Sequence, residues 1–305
     1  MLKESIRFIL RVIISHSPIK YPLRWATRSG LIPTRIWAYF PIVADFDVSL
    51  PDEQTFRYSA TKRDASGIYL YWGGLKHYEA ETIPIFYELA RASSIVLDIG
   101  ANAGVYSMIA GAANPNSKII AFEPVPETYK RLVNHVHMNG LDDRCVLCKE
   151  AASNFIGSAK LHVPRYDASE LASLHPGHTN VKSFVIDVPV TTIDTVCSTE
   201  DNDGSALMLV KIDVEGSEDR VLEGMQRTLA DWAPLIIVEC LPNGPYKAIE
   251  AILSGFGYRF FHLRKEGPVA VEEIIPDESR YHYRNFLCLG NTEWARLVSK
   301  RLKLF

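Results

Sequence analysis

One segment restricts the possible folds of this chain more than any other, an apolar run that ends in an acidic residue and a glycine-containing turn. Residues 94–100 read SIVLDIG, and ANAG follows at once. A continuous apolar run is typical of a strand buried on both faces of a parallel sheet. The next residues, VYSMIAGAA, predict a helix, and KIIAFEP at 118–124 predicts another strand. This order predicts an α/β fold whose ligands bind at the carboxyl ends of the strands.

The same alternation continues along the chain. PETYKRLVNHVHMNG predicts a helix that begins near Pro126 and ends at Gly140, and CVLCKEAA predicts a third strand. After an interruption, the alternating elements are LMLVKIDVEG, SEDRVLEGMQRTL, PLIIVEC, YKAIEAILSG, YRFFHLR and RNFLCLG. Repeated β-α-β units predict a mostly parallel sheet with right-handed crossovers.

The length of 305 residues fits one large α/β domain with additions. Residues 1–75 form an N-terminal extension rich in proline, and residues 76–305 form the main domain, with a helix expected over Tyr78–Ala90. The stretch at about 153–205 holds short alternating runs between polar loops, which predicts a β-rich insertion.

Charge and cysteines exclude several functions. A net charge of −3 provides no general attraction for nucleic acid. Cys145 and Cys148 form a lone C-x-x-C within a predicted strand, without the second ligand pair of a zinc site or the helix start of a redox site. We therefore expect buried reduced thiols. These thiols and the absence of a cleavable signal favour a cytoplasmic protein.

Residues 1–14 have apolar side chains at helical spacing, interrupted by Lys3, Arg7 and Arg11. The charges argue against a spanning helix. A basic amphipathic helix of this kind either packs on its own domain or lies on a membrane surface, so peripheral membrane contact is an open alternative. The sequence does not define the oligomeric state.

The turn after the first strand discriminates between cofactors. A dinucleotide fold needs G-x-G-x-x-G, but this chain has Asn102 and Val105 where the second and third glycines belong. No Walker loop is present either. The turn therefore predicts a cofactor without a pyrophosphate. Glu123, at the end of the second strand, is placed to accept hydrogen bonds from both hydroxyls of a ribose, as any adenosine cofactor would require.

Four motifs occur in order along the chain: DIGANAGVYS at 98–107, FEPVP at 122–126, KIDVEGSE at 211–218 and NFL at 285–287. Together they resemble the FkbM-type methyltransferases. The resemblance covers roughly residues 70–290. It implies a seven-stranded Rossmann-like sheet of the class I methyltransferases and S-adenosylmethionine (SAM) as methyl donor. It also implies O-methylation of a hydroxyl on a sugar, a glycan or a glycosylated natural product.

The resemblance also implies roles for individual residues. Gly100, Asn102 and Gly104 would wrap the methionine part of SAM, Glu123 would hold the ribose, and the residues after the third strand would flank the adenine. The complete predicted cofactor set is Asp98, Gly100, Ala101, Asn102, Gly104, Glu123, Pro124, Glu150, Ala151, Asp213 and Glu215.

Acidic residues at later strand ends are the candidates for catalysis. Asp213 and Glu215 follow the fourth strand, where carboxylates can bind the ammonium group of SAM, stabilise its sulfonium or take the proton of the acceptor. Asp213 is the first candidate for the general base and Glu239 the second, while Glu218 fits a helix cap. Weaker candidates for the base are His175, His178, His262 and His282. Asp213 and Glu239 could also hold Mg²⁺, but no dense acidic cluster demands it and we predict no metal.

The acceptor site is expected under the insertion and the extension, since specificity is usually carried by loops. Aromatic residues there either stack on sugar faces or form the core of the extension, and the YLYWGG stretch at 69–74 fits both readings. Three other functions stay open: N-methylation of an amine or peptide, a nicotinamide-dependent oxidoreductase, and a non-catalytic binding protein with this fold.

Overall fold

The computed structural model describes residues 18–61, 64–164, 183–200, 206–278 and 283–303. These residues form two compact units, with the boundary between Ile83 and Pro84. The predicted end of the extension, at residue 75, lies shortly before this boundary. Within the described ranges, no helix is long and apolar enough to cross a membrane.

The first unit combines short helices with a β-hairpin. Strands β1 and β2 pair antiparallel and alternate buried with exposed side chains, as expected of a sheet with one solvated face. Its elements are helices α1 (Lys20–Arg28), α2 (Thr34–Trp37) and α3 (Ala65–Ile68), strands β1 (Ala44–Ser49) and β2 (Thr55–Ala60), a π-helical turn (Tyr69–Gly73) and a 3-10 turn (Leu75–His77).

Aromatic side chains form the core of this first unit. Tyr71 and Trp72 are 2% and 0% exposed, and their rings contact each other edge to face with centroids 4.8 Å apart. Tyr71 also meets the ring of Phe46 from β1. The interpretation of Tyr71 and Trp72 as a stacking surface for sugars is therefore wrong, because both rings are buried in the core of the first unit.

The second unit contains the expected alternation of strands and helices. Its main-sheet strands are β3 (Ile95–Ile99), β4 (Lys118–Phe122), β5 (Cys145–Cys148), β9 (Met208–Ile212), β10 (Leu235–Glu239), β11 (Arg259–Arg264), β12 (Gly267–Val271) and β13 (Asn285–Leu289). Its helices are α4 (Ile83–Ala90), α5 (Val105–Ala113), α6 (Pro126–Met138), α7 (Ile193–Cys197), α8 (Glu218–Glu223), α9 (Gln226–Trp232), α10 (Tyr246–Gly255) and α11 (Glu293–Arg301).

The main sheet has the order β12-β11-β13-β10-β9-β3-β4-β5. Strand β13 lies antiparallel between β10 and β11, and the remaining predicted strands run parallel. The predicted Rossmann-like α/β fold with seven mostly parallel strands is confirmed. An eighth strand, β12, pairs antiparallel with β11 at the edge. It contains Pro268, which is tolerated at an edge because no ladder hydrogen bond is needed on the outer side.

The central strands are buried on both faces, which explains their continuous apolar sequences. All five residues of β3 and all five of β9 are buried. Only two of these ten side chains are charged, Asp98 in β3 and Lys211 in β9, and they are paired in register across the two strands. Polar groups in such positions require partners, so both residues are expected to belong to a site.

The insertion forms a second, three-stranded sheet, as its alternating sequence predicts. Strands β6 (Ala151–Ala152), β7 (Gly157–Pro164) and β8 (Ser183–Thr191) have the order β6-β8-β7. The predicted third strand, CVLCKEAA, is in fact divided, because Cys145–Cys148 pairs with β4 while Ala151–Ala152 pairs with β8. Glu150 therefore lies where the chain passes from one sheet to the other.

Two predicted helices have different bounds in the structure. The helix expected over Tyr78–Ala90 begins at Ile83, after Glu79 has adopted a left-handed φ of 41°. The helix expected over SEDRVLEGMQRTL is divided into α8 and α9 around Gly224. A Cβ at Gly224 would lie 2.0 Å from the carbonyl oxygen of Ser153, so this close approach requires glycine.

Candidate active site

The glycine turn after β3 is shaped by close contact with the end of β9. Gly100 has a left-handed φ of 84°, and a Cβ there would lie 1.8 Å from the carbonyl oxygen of Asp213. Its backbone N–H and that of Ala101 donate to the carbonyl oxygen of Phe122 at 3.1 and 2.8 Å. The turn is thereby held between the ends of three neighbouring strands, β3, β4 and β9.

The rest of the turn leads directly into helix α5. Asn102 and Gly104 also have positive φ, 52° and 86°, which asparagine and glycine tolerate better than other residues. The side-chain Oδ1 of Asn102 is buried without a hydrogen-bond partner. A buried acceptor without a partner carries a free-energy cost that a ligand donor would relieve, so Asn102 fits its predicted role.

Asp98 fixes the start of helix α5. Its Oδ2 accepts hydrogen bonds from the backbone N–H of Ser107 at 2.9 Å and from the Ser107 hydroxyl at 2.6 Å. Burial raises the pKa of the Asp98 carboxyl to about 6, against the stabilising effect of these bonds. The structure thus gives Asp98 a positioning role, and its contact with the cofactor stays a prediction.

Glu123 joins the glycine turn to the end of β4. Its Oε2 accepts from the N–H of Asn102 at 3.0 Å, and its Oε1 accepts from the N–H of Val125 at 2.7 Å. Burial raises the pKa of Glu123 to about 7. Each carboxylate oxygen keeps a further lone pair, so the two oxygens can still accept from ribose hydroxyls. Pro124, which follows, is half-buried beside it.

Lys211 is a site residue that the sequence interpretation missed. Its side chain is 0% exposed, and its Nζ lies 3.0 Å from Oδ2 of Asp213 and 5.2 Å from the ring centroid of Tyr106. Burying an ammonium group is costly unless it is paired with a negative charge. A lysine at this position therefore serves either the function of the site or its charge balance. The available signal was the charge itself, within the otherwise apolar run Met-Leu-Val-Lys-Ile.

Glu218 supports the loop that follows β9. This carboxyl is 0% exposed, and its Oε1 accepts from the N–H of Val214 at 3.2 Å and of Gly216 at 3.0 Å. Burial raises its pKa to about 7. Between these two donors, Glu215 adopts a left-handed φ of 53°, which is uncommon outside glycine and is often found at functional sites. Glu218 therefore does more than cap a helix, since it holds the loop that presents Glu215.

The two predicted catalytic carboxylates, Asp213 and Glu239, converge in the structure with Glu215 of the predicted cofactor set. Asp213, Glu215 and Glu239 each contribute an oxygen, and these oxygens lie within 4.8 Å of one another. We call this set the acidic cluster. The convergence follows from the parallel pairing of β9 with β10, which brings their carboxyl ends together.

The surroundings of Glu239 perturb its pKa strongly. Its Oε1 lies 3.8 Å from the guanidinium of Arg284, and its Oε2 is buried without a hydrogen-bond partner. Burial, followed by the charges of Asp213 and Glu215, raises the pKa of Glu239 well above its ordinary value. Perturbation of this kind, by burial and like charges, is typical of functional sites.

The acidic cluster has the oxygen ligands that a divalent cation prefers. Lys211 and Arg284 each lie next to one of these carboxylates, Asp213 and Glu239 respectively. That no metal is bound here stays a prediction.

The other predicted site residues have varied positions. Glu150 is half-buried, and Ala151, the first residue of β6, is buried. The prediction of His262 as a candidate base is wrong. Its ring is stacked on Phe286, its Nε2 lies 2.6 Å from the carbonyl oxygen of Tyr283, and its Nδ1 accepts from Arg264 at 3.4 Å. His175, His178, His282 and residues 1–14 lie outside the described residues.

The cysteines are free, and four of the five are buried while Cys148 is half-buried. Burial raises the pKa of Cys145 to about 12 and that of Cys148 to about 11, so both remain protonated and unreactive near neutral pH.

Three buried carboxyls predict how stability depends on pH. The pKa values of Asp98, Glu123 and Glu218 are raised to about 6, 7 and 7. The folded chain therefore binds more protons than the unfolded chain between about pH 4 and pH 7, and these groups stabilise the fold most at the acid end. Urea unfolding of the ligand-free protein should show a loss of a few kcal/mol between about pH 5 and pH 8. Glu123→Gln should flatten this dependence, and an equal slope in wild type and variant would contradict the assignment.

The strand order, the antiparallel strand β13 and the glycine turn beside an acidic cluster define a class of protein. They are the features of a Rossmann-like methyltransferase of class I. A model of the methyltransferase FkbM domain matches residues 98–260, more than half of the chain. The chain belongs to the FkbM family of SAM-dependent methyltransferases.

Curated relatives agree with this assignment. The chain is 28% identical over 194 residues to the 31-O-demethyl-FK506 methyltransferase FkbM of Streptomyces tacrolimicus, covering 55% of this chain and 74% of the relative. It is also 28% identical over 208 residues to methyltransferase sdnD of Sordaria araneosa, covering 59% and 80%.

Solved structures show more distant similarity. The methyltransferase FkbM of Methylobacillus flagellatus matches with a TM-score of 0.40 and 16% identity over 75% of this chain and 55% of that one. The O-methyltransferase TomG of Streptomyces achromogenes, solved with SAM, matches with a TM-score of 0.40 and 12% identity over 70% and 81%.

Proposed function

We propose that this protein transfers a methyl group from SAM to a hydroxyl of a sugar, a glycan or a glycosylated natural product. The observation that carries the proposal is the acidic cluster, which lies directly against the glycine turn where Gly100 contacts the backbone of Asp213. The turn and Glu123 would hold the donor, and the cluster would face the methyl group and the acceptor. The name of the FK506 relative, which specifies an oxygen as acceptor, supports O-methylation.

The carboxylates have a direct use in this reaction. The acceptor oxygen would attack the methyl carbon in line, while the carbon–sulfur bond breaks and its electron pair returns to sulfur as a neutral thioether. The proton of the hydroxyl would pass to a carboxylate, for which we propose Asp213 first and Glu239 second. The enzyme otherwise contributes alignment of the two reactants and exclusion of water. Several acidic oxygens can also bind neighbouring hydroxyls, which supports a polyol as acceptor.

The reducing cytoplasm is the location that we propose, because all five cysteines are free.

Methyl transfer can be tested directly with the purified protein. Purified protein would be incubated with methyl-labelled SAM and extracts of cytoplasmic sugars, glycolipids and natural products, and the labelled product would be analysed by NMR. An NMR signal from a labelled methyl group bound to oxygen supports the proposal. A labelled amine would show N-methylation instead, and SAM binding without transfer to any acceptor would favour a binding protein.

Proton release on donor binding tests the arrangement around Glu239. Burial and the neighbouring negative charges raise the pKa of Glu239 well above its ordinary value, which favours its protonated form. A bound sulfonium would offset the neighbouring negative charges, lower this pKa and expel the proton, so SAM affinity should rise with pH. Calorimetry in buffers of different protonation enthalpy, slightly below neutral pH, should show partial proton release for SAM and less for its demethylated product, which lacks the sulfonium. Glu239→Gln should abolish the difference; equal release by both ligands would refute this account.

A further inference from the structure

The first unit exposes an unusual number of large apolar side chains within one short segment. We call residues 19–43 the interfacial segment. Seven of its side chains are between 48% and 75% exposed: Ile19, Tyr21, Trp25, Leu31, Ile36, Tyr39 and Val43. Among the described residues, every strongly exposed tryptophan and tyrosine falls in this segment. Such a concentration is rare on a soluble monomer and marks a surface that binds something.

Helix α1 shows why these side chains are exposed. Its inner face is held by polar bonds, because Arg24 and Arg28 donate to the carbonyl of Tyr71 at 3.0 and 3.3 Å, and Thr27 donates to that of Trp72 at 2.7 Å. An amphipathic helix normally buries its apolar face and exposes its charges. Here the arginines are turned inward and the aromatic residues outward.

The outward aromatic residues of α1 are neighbours on one face. Tyr21 and Trp25 are four residues apart, so their side chains lie one above the other, 63% and 66% exposed. Lys20 lies beside them, with its Nζ 5.4 Å from the ring centroid of Tyr21. Arg35 is exposed further along the segment. Tryptophan and tyrosine beside lysine and arginine are the side chains that favour a membrane–water interface.

The charge distribution of the chain specifies the partner further. Residues 1–43 contain seven Lys or Arg and one Asp or Glu, a formal charge of +6. The other 262 residues carry 26 basic and 35 acidic side chains, a formal charge of −9. The segment is thus cationic within an acidic protein, which suits an anionic surface. Aliphatic side chains such as Leu31 and Ile36 gain most from an apolar phase, which lipid provides and a nucleic acid does not.

We propose that the interfacial segment docks the protein on membranes that contain anionic lipids. The aromatic and aliphatic side chains enter the headgroup region, while the basic side chains bind the lipid phosphates. This proposal concerns the first unit alone and does not depend on the chemistry of the acidic cluster.

Vesicle flotation with the full chain tests the proposal. The protein should float with vesicles of phosphatidylcholine mixed with phosphatidylglycerol, and much less with phosphatidylcholine alone, and added salt should weaken the binding. Tyr21→Ala with Trp25→Ala should reduce partitioning into the mixed vesicles by about tenfold, since two exposed aromatic anchors are lost. Phe155→Ala with Phe184→Ala removes two exposed aromatic residues of the second unit and should leave partitioning unchanged.

Each other outcome overturns the proposal. These are absence of flotation with anionic vesicles at low salt, equal flotation of the Tyr21/Trp25 variant and the wild type, tighter binding to an oligonucleotide than to vesicles, and a dimer in light scattering that this variant dissociates. A thermal melt confirms that the variant is folded. If it is not, Leu31→Ala with Tyr39→Ala makes the same test on the following loop.

Discussion

Replacing Gly100 with alanine should destabilise the protein by on the order of 4 kcal/mol or more, which is a large part of the stability of a typical domain. The new Cβ would lie 1.8 Å from the carbonyl oxygen of Asp213, and the backbone φ of 84° is strained for any side chain. Neither the turn nor the end of β9 can retreat without breaking the hydrogen bonds that hold them. Urea or thermal unfolding, with and without SAM, measures the effect.

Gly140→Ala is the matched control for this substitution. Gly140 also has a left-handed φ, 62°, but a Cβ there would meet nothing within 4 Å. It should therefore cost only the backbone strain, about 1 kcal/mol. The difference between the two variants isolates the contact between the glycine turn and Asp213. If both variants lose equal stability, the close approach in the structure is incorrect.

Replacing Asp213 with asparagine should have the largest effect on turnover. If Asp213 takes the proton of the acceptor, the rate of methyl transfer should fall by roughly 10²–10⁴, the usual contribution of a general base. Binding of the demethylated donor product should change much less, because that ligand lacks the sulfonium. Single-turnover transfer and calorimetric binding measure the two quantities separately.

Two further variants define the role of Asp213. Glu239→Gln should reduce the rate less, because burial raises the pKa of Glu239 well above its ordinary value and a smaller fraction of it is ionised and available as a base than of an ordinary glutamate. Glu273→Gln, an exposed carboxylate outside the acidic cluster, serves as the control. An Asp213→Asn variant with near-normal turnover would exclude Asp213 as the base.

Several elements of the fold were predictable because their physics is local. The strands β3 and β9 are continuous apolar runs, since both faces of each are covered. Helix α5 occupies Val105–Ala113 as its sequence indicates, and α6 begins at Pro126, whose missing N–H costs nothing in a first turn. Gly140 then ends that helix in a left-handed conformation.

Other elements depended on contacts that no local pattern contains. The break between α8 and α9 arises because Gly224 passes the carbonyl of Ser153, which belongs to a distant part of the chain. Strand β12 begins with Gly267 and Pro268, which disfavour a strand, and lies at the edge of the sheet, so only its pairing with β11 defines it. The aromatic residues Tyr71 and Trp72 became core because Phe46 from β1 packs on one of them.

The candidate site divides in the same way. Asp213 and Glu239 could be placed together from the sequence, because the carboxyl ends of adjacent parallel strands meet. The charge of Lys211 was visible in the sequence, but its burial beside Asp98 was not, since the strand register that pairs them joins residues more than a hundred positions apart. Nor does the sequence show that Oδ2 of Asp98 accepts hydrogen bonds from the backbone N–H and the hydroxyl of Ser107.

By itself, the sequence determined the α/β class, the glycine turn without a pyrophosphate cradle, and the set of carboxylates that end the central strands. These follow from local periodicity and from the conformations that glycine, asparagine and proline allow. The tertiary structure alone decided which polar groups form hydrogen bonds within the protein and which remain available to ligands. Glu123 is an example, because it accepts hydrogen bonds from the N–H groups of Asn102 and Val125. It also decided which apolar side chains of the first unit remain exposed. The reason is that burial and hydrogen-bond distance are properties of strand order and packing, which join residues far apart in the chain.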